Sequence, residues 1–384
     1  MPAASDTDLR FMREAIALAA EGRYSTSPNP AVGCVIVRDG TILARGFHAR
    51  AGGPHAEAAA LAAAAADGVD VRGATAYVSL EPCNHHGRTG PCAEALIAAG
   101  IARVVYAEDD PNPAVAGGGA GRLREAGIAV EGGVGAVPAG ALNRGFIKRM
   151  RSGLPRVRVK LAMSLDGAVA LASGESQWIT GPTARAEVQR LRAESCAVMT
   201  GVGTVLADDP ALTVRDERFA MRGRQPLRVI LDSTLRTPPT AHLLGLPGGT
   251  LIFTATEDAQ LHAQLARTGA EVVVVGRGAG GLDLAAVLTA LGARGVNELL
   301  VEAGPQLAGQ VIEARVFDEL VVHLAPKLLG REARRAFALA SPLALAEALT
   351  LETVAVARLG ADTALTFVPA VPDGHPFPAR TEES

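Results

Sequence analysis

The sequence predicts two consecutive α/β domains, on three observations. The chain has 384 residues, too many for one ordinary hydrophobic core. Strand-type and helix-type signals alternate along most of its length. The alternation is interrupted once, over residues 143–155 (NRGFIKRMRSGLP), where the sequence is basic and poor in large apolar side chains. The boundary is expected there, with residues 1–146 and 156–372 as the domains, 147–155 as linker, and the polar, Pro-containing tail 373–384 disordered.

In the first part, Leu9, Met12, Ile16 and Ala19 recur at helical spacing after a capping-type Thr7, so residues 7–21 read as a helix. Residues 31–37 and 41–47 flank Asp39-Gly40, a strong hairpin signal. A helix over 55–66, a strand over 74–80, a helix over 92–99, a strand over 103–107, a helix near 119–126 and a strand near 128–130 complete an α/β sandwich. The second part restarts with a strand at 156–162. Apolar runs at 197–200, 227–231, 250–254, 271–275 and 298–301 read as buried strands, with helices at 182–193, 259–268, 282–291 and 305–314. Short connections between alternating elements favour a largely parallel sheet.

Composition narrows the function. With 48% hydrophobic residues, 20% charged residues and a net charge of −3, the chain resembles ordinary globular proteins. No basic excess exists to neutralise a long polyanion, and only 3% of residues are aromatic, which argues against a nucleic-acid binder. The N-terminus lacks signal-peptide architecture, and the Ala-rich run 58–66 is too short to span a bilayer. Cysteine occurs four times, too sparsely for a disulfide scaffold, so a cytoplasmic enzyme is expected.

Chemistry concentrates at Pro54-His55-Ala56-Glu57, Pro82-Cys83 and Cys92. One imidazole and two thiolates make a three-ligand zinc site that keeps a fourth position for water. Cys92 stands at the head of an expected helix, a placement that suits a ligand because a helix N-terminus favours thiolate. Glu57 lies close enough to face that water without binding the metal, as a general base that later returns the proton to a leaving amine. A structural zinc site, or unrelated residues, is the alternative that spacing alone leaves open. The H-A-E tripeptide, with Pro before both His55 and Cys83, favours the catalytic reading. Zinc deaminases carry a related signature, from which this chain departs in the longer loop NHHGRTGP between its cysteines.

Together, SPNPAVGCVIV, PHAE and EPCNHHGRTGPC closely resemble the deaminase half of the bifunctional riboflavin-biosynthesis deaminase/reductases. The resemblance implies a cytidine-deaminase-like α/β/α sandwich with His55, Cys83 and Cys92 as zinc ligands and Glu57 as proton shuttle. Substrate contacts would fall on Asn29, His48, Arg88 and Asn112. Arg88, on a Gly-flanked loop, suits a phosphate. Gly90 stands where this family commonly has Pro.

In the second part the blocks VKLAMSLDGAVA, GESQWITG, GVGTVLADDPALTVR and LLVEAGPQLAG stand out. Gly201-Val202-Gly203-Thr204 reads as a Gly-rich turn after a buried strand, and Glu302-Ala303-Gly304-Pro305 as an anion-friendly helix start. Neither matches the Rossmann fingerprint. In this order the blocks resemble the reductase half of the same family, whose fold is similar to dihydrofolate reductase. The resemblance implies NADPH binding at Ala162, Trp178, Thr204, Asp208, Ser233, Ala303 and Gly304. It implies substrate binding at Ser176, Arg192, Ala211, Arg215 and Glu302, with Lys160 a further candidate at the reacting ribose. Ala168 stands where an Arg is expected.

The activity implied is zinc-dependent hydrolytic deamination of a pyrimidinone ribosyl phosphate, then NADPH-dependent reduction of the ribosyl chain. The partner would be that small molecule, with no nucleic acid or membrane, in a homo-oligomer. The competing readings are a nucleic-acid or nucleoside deaminase fused to an unrelated reductase, and a structural-zinc module with a cofactor-binding sensor.

Overall fold

A computed structural model describes residues 5–84, 90–113, 115–278 and 280–370. The predicted disordered tail 373–384 and Arg88 lie outside the described residues. Two compact units are formed: Met1–Arg156 with Gln189–Val198 and Pro210–Leu299, and Val157–Val188 with Met199–Asp209 and Leu300–Ser384.

In the first unit, helix α1 (Asp6–Gly22) begins at Ser5, whose hydroxyl accepts the N–H of Asp8 and caps the helix. Its Phe11, Met12, Ala15 and Ala19 are buried at helical spacing. The hairpin β1 (Gly33–Arg38) and β2 (Thr41–Phe47) turns at Asp39 and Gly40, with φ of 50° and 76°. Positive φ at both central residues is what a type I′ turn needs, and Asp-Gly supplies it. The chain continues as α2 (Ala56–Ala66), β3 (Thr75–Leu80), α3 (Cys92–Ala98), β4 (Arg103–Glu108), α4 (Gly118–Glu125) and β5 (Ala129–Glu131). Two helices that the sequence reading did not anticipate follow, α5 (Ala136–Leu142) and α6 (Arg144–Ser152). Helix α6 occupies most of the predicted linker.

The five strands form a sheet in the order β2-β1-β3-β4-β5. Strand β1 pairs antiparallel with β2 and β3, while β3–β4 and β4–β5 are parallel. Alternation along β1 sends Cys34 and Ile36 into one core with Ala60, Val78, Leu96 and Val104. Val35 and Val37 enter the other, with Phe11, Met12, Tyr77 and Val105. Both faces are therefore covered, as in an α/β/α sandwich.

Helix α2 approaches the sheet closely because both surfaces are small. Its Ala56, Ala60 and Ala64 are buried, and a Cβ at Gly46 on β2 would overlap the Ala60 nitrogen and the Ala56 carbonyl oxygen. That contact fixes the N-terminal end of α2, where His55 and Glu57 reside. Across the sheet, the buried carboxylate of Asp8 accepts from Arg103 at 2.7 and 3.1 Å and from the Tyr77 hydroxyl at 2.8 Å. This network holds the Asp8 pKa well below the usual carboxylate range.

A second, nine-stranded sheet contains β6 (Arg156–Ser164), β7 (Ala197–Gly201), β8 (Leu227–Leu231), β9 (Thr250–Thr254), β10 (Glu271–Val274), β11 (Glu298–Glu302), β12 (Glu319–Ala325), β13 (Leu351–Leu359) and β14 (Asp362–Pro369). Its order is β10-β9-β8-β7-β11-β6-β12-β14-β13. Strand β9 runs parallel to β8 and β10, and β6 to β12, as the short connections predicted. The C-terminal hairpin β13–β14 departs from that expectation and adds to β12 in antiparallel fashion. The main helices are α7 (Pro182–Glu194), α8 (Val202–Asp208), α9 (Ala259–Ala266), α10 (Leu284–Ala293) and α11 (Pro305–Glu313). Among the described residues, no helix is long and apolar enough to cross a membrane.

Candidate active sites

His55 is the N-cap of α2, and Cys92 is the first residue of α3. Cys83 follows β3, and its carbonyl accepts the N–H of Ala93 at 3.1 Å, which ties the two cysteine-bearing segments together. The Nδ1 atom of His55 lies 3.5 Å from the Cys83 sulfur and 3.3 Å from the Cys92 sulfur. The three ligand atoms all fall within 4.8 Å of one another. Two soft thiolates and one imidazole suit zinc, and a three-ligand set keeps a position open, as catalytic sites do.

Glu57 stands in the first turn of α2 and is only 3% exposed. Burial raises its pKa to about 7. The Cys83 thiol is lowered to about 4, chiefly by its hydrogen bond with Cys92, and that same contact pushes Cys92 upward.

Asn29 and His48 meet beside this cluster. The Asn29 amide nitrogen is 3.0 Å from His48 Nε2, while His48 Nδ1 is 2.8 Å from the Pro54 carbonyl oxygen. A carbonyl can only accept, so Nδ1 carries the proton, and Nε2 accepts from the amide. Burial lowers the His48 pKa and keeps the ring neutral. The His48 ring meets the His55 ring edge-on, with centroids 5.4 Å apart. Asn112 is half-buried, on the loop before α4, and its N–H donates to Asp110.

Two residues that the sequence reading did not single out hold these pieces. Glu81, 3% exposed, accepts the N–H groups of Gly117 at 3.0 Å and Ala120 at 3.1 Å and so binds the metal turn to the Asn112 loop. Asn143 makes a two-way pair with the backbone of Ala31, at 2.8 and 2.9 Å, and steadies the SPNPAV segment. The signal for Glu81 was its place in EPC.

The predicted reductase residues divide between the two units. In the second unit, Lys160 and Ala162 lie on β6, opposite Val321 and His323 of β12. Thr204 lies on α8 and its Oγ1 is 4.0 Å from where a Gly304 Cβ would stand, so these two predicted cofactor residues are neighbours. Residues 202–204 are already helical, where the sequence read as an open Gly-rich turn; Gly201 is the N-cap. Gly304 caps α11, with Pro305 in its first turn as predicted. Ser176 is half-buried and Asp208 exposed, while Glu302 and Ala303 end β11 and follow it. Trp178 is 62% exposed, and the guanidinium of Arg185 sits 4.7 Å from its ring centre. Ala168 is buried, and its N–H donates to Ser164.

In the first unit, Arg192 is 9% exposed and donates to the Thr213 carbonyl at 3.2 Å. Gln225 makes a two-way pair with the Val214 backbone at 2.9 Å each way, and Gln189 accepts the N–H of Arg215 at 2.7 Å. These three side chains hold the loop bearing Ala211 and Arg215, which line a cavity of about 520 Å³. Ser233 is half-buried just after β8, and its carbonyl accepts the N–H of Ala255.

Comparison with known proteins agrees with this geometry. Residues 5–108 match the cytidine and deoxycytidylate deaminase zinc-binding region, and residues 155–365 match the RibD C-terminal domain. The riboflavin biosynthesis protein RibD of Escherichia coli K12 is 48% identical over 372 residues, covering 94% of this chain and 100% of the relative. The structure of Acinetobacter baumannii RibD superposes with a TM-score of 0.87 at 43% identity, covering 95% of this chain and 99% of that one. A Thermotoga maritima protein described as a diaminohydroxyphosphoribosylaminopyrimidine deaminase/5-amino-6-(5-phosphoribosylamino)uracil reductase superposes at 0.85, with 33% identity over 95% of this chain and 99% of that one. The chain thus belongs to the family of the riboflavin biosynthesis protein RibD, in which a zinc-dependent deaminase and a dihydrofolate-reductase-like, NADPH-using reductase share one polypeptide.

Proposed function

We propose that residues 1–146 deaminate 2,5-diamino-6-ribosylamino-4(3H)-pyrimidinone 5′-phosphate and that residues 156–372 reduce the ribosyl chain of the product, giving 5-amino-6-ribitylamino-uracil 5′-phosphate. The observation that carries the first step is the His55 Nδ1 atom poised 3.5 and 3.3 Å from two cysteine sulfurs, with a buried glutamate in the first turn of the helix that His55 caps. Zinc supplies Lewis acidity for attack of water on the ring carbon, and NADPH supplies a hydride.

His55, Cys83 and Cys92 hold the metal. Glu57 takes the proton from water and returns it to the departing amine. Asn29 and His48 orient the pyrimidine edge, helped by Asn112, and Arg88 takes the phosphate. In the second step, Thr204, Gly304 and Ala303, with Ala162, Trp178, Asp208 and Ser233, bind NADPH. Ser176, Arg192, Ala211, Arg215 and Glu302 hold the ribosyl phosphate, and Lys160 contacts the opened ribose at C1′. The proteins matching over nearly the whole chain support this division. The enzyme works in the cytoplasm as a homo-oligomer on a free small molecule; its net charge of −3 offers no basic excess for a polyanion.

Product masses test both steps. Wild type should give the deaminated species without NADPH and the ribityl species with it, while Glu57→Gln gives neither from the diamino substrate. Absence of deamination by zinc-loaded wild type would refute the first assignment.

A further inference from the structure

The loop that carries Asn29 is gripped by residues from the part of the chain matched by the RibD C-terminal domain. All of them belong to the first compact unit. The Asn297 amide donates to the Pro28 carbonyl at 2.9 Å, one residue before Asn29. Ser27 donates its hydroxyl to the Cys196 sulfur at 3.0 Å, and that sulfur also accepts the N–H groups of Asn297 and Glu298 at 3.4 and 3.3 Å. Arg224 donates through Nε to the Tyr24 carbonyl at 2.7 Å. Its other nitrogens bond the carbonyls of Ser195 at 2.8 Å and Ala193 at 2.5 Å. Tyr24 also meets Phe219 edge-on at 5.3 Å, and Arg23 pairs with Glu194.

Hydrogen bonds and a close backbone approach link this grip to the deaminase residues. The Asn29 N–H closes a turn onto the Thr26 carbonyl at 2.9 Å. The Ser25 hydroxyl donates to the Ala49 carbonyl at 2.7 Å, next to His48. A Cβ at Gly22 would overlap the His48 carbonyl oxygen, so the end of α1, where the loop begins, touches the residue that follows β2. Asn29 then bonds His48 itself.

We infer that Asn297 and Arg224 are positioning residues for deamination, although they lie outside the deaminase half of the sequence. They set where Pro28, and with it Asn29, stands against His48. The inference rests on the reading that Asn29 and His48 contact the pyrimidine. It means the deaminase site is completed by the reductase segment, beyond any sharing of a chain by two independent enzymes.

Asn297→Asp in the full chain is the sharp test. Its Oδ1 accepts from Arg149 Nε at 2.6 Å, and a carboxylate keeps that contact while losing the donor to Pro28. The expected result is a rise in KM for deamination on the order of tenfold, short of the roughly hundredfold cost of a full misplacement of about 1 Å. Reduction of the separately supplied deaminated substrate should keep its KM and kcat, and zinc content should stay at the wild-type level. Arg224→Lys, which keeps one donor for three carbonyls, should raise the same KM less than Arg224→Ala. Loss of both activities together would mean a general structural role, and unchanged deamination kinetics would mean no role; either overturns the inference. Asn29→Ala separates the underlying reading. If it raises KM while Asn297→Asp does not, the positioning inference alone fails. If Asn29→Ala leaves KM unchanged, the substrate-site reading fails, and the inference with it.

Discussion

The carboxylate of Glu81 accepts the backbone N–H of Gly117 at 3.0 Å, across 36 residues of chain, and so joins the turn that carries Cys83 to the loop that carries Asn112. Ala120 donates to its other oxygen, and a Cβ at the intervening Gly119 would overlap the Pro82 carbonyl oxygen. One carboxylate and one glycine thus set the spacing between the metal turn and α4. Glutamine at position 81 offers only one acceptor oxygen and turns an amide toward an N–H. Hydrogen bonds to charged acceptors contribute about 1.5–3 kcal/mol, so Glu81→Gln should lower kcat/KM for deamination at least about tenfold. Steady-state kinetics and a thermal melt check this, and wild-type values in both would refute it.

The metal cluster gives a separable loss. Cys83→Ser or Cys92→Ser should strip zinc and abolish deamination, because a hydroxyl is a far poorer zinc ligand than a thiolate. Reduction of the deaminated substrate should persist. Metal content by atomic emission, measured with both activities, decides the matter; a serine variant that deaminates at the wild-type rate would rule out the catalytic cluster.

Asp8 makes stability depend on acid. Its pKa is held far below the ordinary 3.8 by Arg103, Ser5 and Tyr77. The carboxylate form is therefore favoured by folding, and its contribution is full above pH 3.8 and is lost as pH falls further. Asparagine keeps one oxygen for Arg103 and Tyr77 but loses the charge and turns an amide NH2 toward the second Arg103 nitrogen, so Asp8→Asn should destabilise the chain by about 1.5–3 kcal/mol at pH 7. The gap between wild type and variant should narrow only below pH 3.8. Urea titrations at several pH values would show it; a pH-independent gap would count against the charge argument.

Gln225 closes both sides of Val214, the residue before Arg215. Gln225→Glu retains the acceptor and loses the donor to the Val214 carbonyl. A lost half-buried hydrogen bond costs about 0.5–1.5 kcal/mol, so KM for the reductase substrate should rise several-fold while deamination is untouched. The opposite pattern, with deamination affected and reduction not, would place the loop elsewhere in function.

Much of this was legible in the sequence, for physical reasons that differ by element. The Asp39-Gly40 turn declared itself because few residue pairs accept φ of 50° and 76°. Helix α1 was visible because it buries one face, whereas α5 buries only Ala139 and contains Pro138, and α6 buries only Gly145 and Phe146. The hairpin β13–β14 escaped notice because β13 is mostly exposed, so no inward and outward alternation marks it. His55, Cys83, Cys92 and Glu57 stood out because few chemistries use that set. Glu81, Asn143 and Gln225 did not, since each is an ordinary polar residue until folding brings a backbone group to it.

The packing of α2 on β2 has a consequence for sequence drift. A helix seated on Ala56, Ala60 and Gly46 has no long side chains to repack, so an added methylene there must lift the whole axis. His55 and Glu57 would travel with it, away from two sulfurs that are fixed to other elements. Positions 46, 56 and 60 should therefore tolerate almost nothing larger. The exposed Ala62, Ala65 and Ala66 on the same helix should accept nearly any helix-forming residue, so tolerance along this stretch should rise and fall with the helical repeat.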